Sequence, residues 1–85
     1  MIARNEKDWL TARLSDEVFL MSVKGKEVIG LDEVSAEIWS ALATPHSLDE
    51  VCLAISKQFR VSPADCRADV KRVLDHLKKQ GAAVD

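Results

Sequence analysis

At Asp32 the spacing of apolar residues switches from that of strands to that of helices, and this switch limits the fold more than any other feature of the chain. Before it, Val18-Phe19-Leu20-Met21-Ser22-Val23 and Glu27-Val28-Ile29-Gly30-Leu31 are short β-prone runs around Lys24-Gly25-Lys26, which predicts a hairpin. Upstream, Leu10, Ala12 and Leu14 alternate with Thr11 and Arg13, the pattern of a half-buried first strand with the three apolar residues inward. Ser15-Asp16-Glu17 is the turn that follows. A three-stranded antiparallel meander over about residues 9–31 is therefore expected.

After the switch, Val34, Ile38, Trp39 and Leu42 share one helical face, and Thr44-Pro45-His46 ends the helix. Ser47-Leu48-Asp49-Glu50 is a capping box, in which serine and glutamate satisfy each other's orphan backbone amides. The helix it starts presents Leu48, Val51, Cys52, Ile55 and Phe59. Ser62-Pro63-Ala64-Asp65 repeats the device with proline at the first helical position, and Cys66, Val70, Val73, Leu74 and Leu77 form the next apolar stripe. Helices are thus expected over about 33–43, 48–59 and 63–80, with Gly81 as a left-handed stop. The pattern leaves open whether Ala82-Ala83-Val84 extends further. The fold class is α+β, three strands then three helices, and a chain of 85 residues accommodates one such domain, 1–85, not two.

Composition narrows function by exclusion. A formal charge of -2 gives no general attraction to phosphate backbones or anionic membranes, so a peptide partner suits the chain better than nucleic acid or a lipid surface. No stretch approaches the roughly 20 apolar residues that span a bilayer, and charges interrupt Met1 to Leu10, so a cytoplasmic location is expected. Cys52 and Cys66 lack ligand spacing and fall inside helical stripes, where buried thiols are expected. His46 falls in a loop and His76 on a helix flank, neither with a motif that pairs it to a nucleophile. Asp65, Asp69 and His76 are interleaved with basic residues, a solvated pattern and not a metal-ligand set. Gly25, Gly30 and Gly81 are too scattered to cradle a phosphate. The expectation is a protein without catalytic residues, metal or other cofactor. Trp39 is expected in the core by its spacing, whereas Trp9 is less constrained.

The junction Gly30-Leu31-Asp32-Glu33-Val34-Ser35-Ala36-Glu37-Ile38-Trp39 carries a resemblance. Taken with Lys24-Gly25-Lys26, Ser47-Leu48-Asp49-Glu50 and Ala68-Asp69-Val70 in that order, it resembles the PqqD-like family of precursor-peptide recognition elements, over about Val18 to Val84. It is most similar to the stand-alone recognition proteins of lasso-peptide clusters. Ala43-Thr44-Pro45-His46 stands where the cofactor-biosynthesis member has Cys-Asp-Gly, and Ser22 stands where relatives often carry an acid.

The resemblance implies a winged helix-turn-helix-like domain that binds a precursor leader peptide as an added strand and delivers it to a modifying enzyme or leader peptidase. By position the receiving edge is Glu27, Val28, Ile29, Gly30 and Leu31, with Gly30 allowing close backbone approach. The wall is the third helix with Val70, Val73, Leu74 and Leu77, some of which the core also needs, and Lys71 is placed to meet acidic leader residues. The alternatives are an assembly domain for another partner and a winged-helix DNA-binding regulator. The regulator would use Arg67, Lys71, Arg72, Lys78 and Lys79, against the opposing charge of Asp65, Asp69 and Asp75.

Overall fold

The computed structural model describes all 85 residues. Its elements run β1 (Ala3–Arg4), β2 (Trp9–Leu14), β3 (Glu17–Ser22), β4 (Val28–Leu31), α1 (Glu33–Ala41), α2 (Leu48–Phe59), α3 (Pro63–Lys79) and β5 (Ala83–Val84). The meander is present: β2, β3 and β4 form one antiparallel sheet in sequence order, followed by three helices. Gly25 takes a positive φ of 72° in the β3–β4 turn, where a Cβ would be strained.

Local chemistry explains the helix boundaries. Asp32 caps α1 by accepting the Ser35 N–H at 2.7 Å. In α2 the capping box is complete: Ser47 Oγ accepts the Glu50 N–H at 3.1 Å and Glu50 Oε1 accepts the Ser47 N–H at 2.8 Å. At α3 Ser62 accepts the Asp65 N–H at 3.0 Å beside Pro63, but the reciprocal half recorded for α2 is not part of this cap. Aspartate has one methylene fewer than glutamate to reach back. Gly81, at φ 81°, turns the chain after α3.

One expectation is corrected. On β2 the faces are exchanged: Trp9 is buried, whereas Leu10 and Leu14 are 56% and 66% exposed. The register sets this, because Trp9 and Thr11 share a face with Leu20 and Ile29, which look toward the helices. Thr11 Oγ1 accepts the Trp39 indole N–H at 2.8 Å, so this threonine is an inward polar partner for a core tryptophan. Where the sequence left the C-terminal residues open, a small sheet joins the termini: Ala3 pairs with Val84 and Arg4 with Ala83. Alongside it, Ile2 and His46 exchange backbone hydrogen bonds of 2.7 and 2.9 Å.

The core is one cluster centred on Leu20, Ile38, Trp39, Leu42, Val51, Cys52, Val70, Leu74 and Leu77. Burying side chains of this kind contributes about 1.5–3 kcal/mol each. Both cysteines are buried, and the Cys66 thiol points at the Cys52 carbonyl at 3.7 Å. Burial pushes the Cys52 thiol above its ordinary value, which disfavours the reactive thiolate. Arg4 lies 4.8 Å over the Trp39 ring and donates from Nε to the Trp39 carbonyl at 2.8 Å, tying the N-terminal arm to α1.

Candidate peptide-binding edge

Strand β4 pairs with β3 alone, so its second edge is open. The groups that edge offers follow from the register. Val18, Phe19, Leu20 and Met21 face Leu31, Gly30, Ile29 and Val28, and the Ser22 N–H bonds the Glu27 carbonyl at 2.9 Å. Antiparallel pairs alternate between those that exchange backbone hydrogen bonds and those that do not. With Ser22 and Glu27 bonded, Leu20–Ile29 and Val18–Leu31 are the next bonded pairs. Val28 and Gly30 are the residues whose N–H and C=O point away from β3, toward a further strand.

The side chains are sorted by the same register. Ile29 and Leu31 are half-buried and pack on the core, while Val28, 62% exposed, lies on the outer face with Gly30. Glu27 precedes the strand and its backbone is engaged by Ser22, since its N–H donates to Ser22 Oγ at 3.2 Å. Gly30 also needs a different account from the one the sequence suggested. A Cβ there would point over the Phe19 ring, at an ordinary 3.6 Å, and away from the open edge. Its contribution to the edge is its backbone, not the missing side chain.

Helix α3 contributes to two depressions, one including Glu27 just before β4 and one including Val34 just after it. At the hairpin end Gln80 shares a depression of about 250 Å³ with Trp9, Ser22, Lys24, Lys26 and Glu27. At the α1 end, Asp65, Asp69 and Val70 share one of about 230 Å³ with Val34, Phe59 and Val61. Asp69, Val73, His76 and Gln80 recur at helical spacing along the side of α3 that joins the two.

Of the wall residues expected from sequence, Val73 is half-buried and available, whereas Val70, Leu74 and Leu77 are at most 1% exposed and belong to the core. Val70 still forms part of the floor at the α1 end. Lys71 falls instead on the opposite flank, with Ile2, Leu48 and Leu74, where it bonds Asp75 at 3.0 Å and lies outside both depressions. Sequence reasoning missed Val34, Phe59 and Val61 as pocket residues and Asp69 and Gln80 as groove residues. The i, i+4, i+7, i+11 spacing of Asp69, Val73, His76 and Gln80 was the available signal.

Helix α3 is a poor phosphate-binding face. Arg67 pairs with Asp49, Lys71 with Asp75, Arg72 with Asp69 and Lys78 with Asp85. Four of the five cations that a DNA-binding reading requires are thus matched by carboxylates, which opposes the counterion-releasing contacts of such binding.

A three-stranded antiparallel meander with an open last strand, followed by three capped helices, defines the class. Residues 17–82 match the family described as coenzyme PQQ synthesis protein D (PqqD), and the chain belongs to that family. Two solved structures share the whole fold. One is described as TbiB1 in complex with the TbiA(beta) leader peptide: it is 25% identical, with a TM-score of 0.82 over 95% of this chain and 93% of that one. The other, lasso peptide synthetase B1 complexed with the leader peptide, is 20% identical with a TM-score of 0.82, over 99% and 98% of the two chains. No curated protein matches the sequence.

Proposed function

We propose that this protein is a non-catalytic recognition module that binds the leader segment of a ribosomally made precursor peptide and presents it to a modifying enzyme or leader peptidase. The observation that carries this reading is the open edge of β4, where Val28 and Gly30 hold unpaired backbone donors and acceptors, with depressions partly lined by α3 at Glu27 before the strand and at Val34 after it. A disordered peptide gains main-chain hydrogen bonds there and places alternate side chains against Ile29, Val73 and the apolar end of the groove. The likeness to a protein in complex with a leader peptide supports the same reading.

Affinity then comes from the backbone and selectivity from the two ends. The α1 end is apolar with Asp65 and Asp69 beside it, and the hairpin end carries Lys24 and Lys26. The test is an anisotropy titration with a labelled leader peptide from a neighbouring precursor gene, a scrambled peptide and a DNA duplex. Saturable binding of the leader alone, at submicromolar to micromolar dissociation constants, is expected. Binding of the scrambled peptide with equal affinity, or of DNA alone, overturns it.

A further inference from the structure

The outer face of the sheet, which looks away from the helices, is apolar and uncovered. Register places Leu10, Met21 and Val28 side by side in one row across the three strands, exposed by 56%, 42% and 62%. The next row is Ala12, Phe19 and Gly30, in which the Phe19 ring lies beside the glycine and the flanks are small. None of these six belongs to the core cluster. A row of three large exposed side chains therefore runs beside a row in which only the central Phe19 is large.

We propose that this face is the interface of a homodimer, with a second copy of the chain packed sheet against sheet. A twofold axis lying between the sheets and running across the strands sets the Leu10–Met21–Val28 row of each copy against the Ala12–Phe19–Gly30 row of the other, with Met21 meeting the Phe19 ring, at the roughly 10 Å spacing of stacked sheets. The same operation brings the acidic Asp16–Glu17 end of one copy toward the basic Lys24–Lys26 end of the other. All four residues are exposed and none takes part in an ion pair within the chain.

The area is adequate. With Val23 and Leu14, which are 55% and 66% exposed, the face presents roughly 500 Å² of apolar surface, near a tenth of the 5543 Å² total. Two copies with their charged ends bury somewhat more than the ~1,000 Å² above which specific interfaces begin, so association in the micromolar range is expected. Because it uses the face and not the edge, the dimer leaves the Val28 and Gly30 backbone groups free. It stands whether or not β4 receives a peptide.

Sedimentation equilibrium of the full chain from about 1 to 200 µM tests this range. The wild type is expected to shift from monomer to dimer, and Leu10→Ser combined with Met21→Ser to weaken the dimer at least about tenfold at an unchanged thermal midpoint. If that pair unfolds the domain, charge decides. Glu17→Lys should weaken association severalfold, and adding Lys24→Glu and Lys26→Glu to it should restore it, a rescue that loss of folding or nonspecific stickiness does not give. A wild type that stays monomeric to the top of the range overturns the proposal, even where the face captures a different protein. So does a charge reversal without effect. Val73→Ala, which trims α3 and leaves the outer sheet face untouched, should dimerise normally, which separates this test from that of peptide binding.

Discussion

The two edges of the sheet are built from the same kind of ladder and treated in opposite ways. On β2, where Trp9, Thr11 and Arg13 turn their backbone groups outward, the Trp9 N–H is taken by the Asn5 carbonyl at 3.1 Å and Arg13 places a charge on the edge. On β4 the corresponding residues are Val28 and Gly30, with no charge before Asp32 and no partner strand. An unguarded edge invites pairing with another chain, and folds usually shield such edges with charge, loops or bulges. The contrast is the physical basis for proposing β4 as the strand that receives a peptide.

Proline tests that contrast most severely. Gly30→Pro removes one N–H that points to the open edge and none that bonds β3, so the domain should stay folded while leader affinity falls at least about a hundredfold, near 2.7 kcal/mol. Arg13→Pro, the matching change on β2, should leave affinity within about threefold. Titrating both variants, with circular dichroism to confirm folding, settles which edge binds. Equal losses in the two would abolish the distinction.

Thr11→Val separates stability from binding. The Trp39 indole N–H loses its acceptor at a part-buried site beside the exposed Thr11, so the domain should lose about 1 kcal/mol in urea unfolding. The open edge of β4 is untouched, and leader affinity of the folded fraction should not change. Val73→Ala is the converse. It trims a half-buried groove residue, and affinity should fall about tenfold, or about 1.4 kcal/mol, with a smaller cost in stability.

These pairs also show what the sequence discloses. The three helices were legible because their signals are local: a change of period at Asp32, a capping box at Ser47 and a serine-proline start at Ser62. The orientation of β2 was not, since alternation gives two faces without saying which is inward. Here the decision falls to Trp39, 28 residues from Thr11. The β1–β5 pair joins the two ends of the chain through two residues on each side and has no periodic signature. That the last strand of the meander leaves an edge open was legible, and which α3 residues are not taken by the core only in part. Helix α3 serves two surfaces, its strongest apolar stripe belongs to the core, and the groove receives a weaker stripe of which only Val73 is apolar.

The smallest expected effect concerns the joint between the open edge and α1. Asp32 follows β4 directly, and its carboxylate is held below the ordinary value chiefly by the backbone N–H of Ser35. A carboxylate with a lowered folded-state pKa stabilises the fold fully above its unfolded value and loses that contribution as pH falls through the folded one. The cap should therefore weaken as the solution is acidified below about pH 4, where the unfolded chain's carboxylates take up protons first. The side chain is exposed and solvent-screened, so the change in stability should be small. In Asp32→Asn a neutral amide oxygen keeps the cap without the titration. Comparing urea midpoints of the two proteins between about pH 6 and 2.5 should show the wild type losing stability slightly more steeply. Parallel curves would mean that the β4–α1 joint is held by packing alone, with Leu31 and Val34 against the core sufficient to fix the end of the edge.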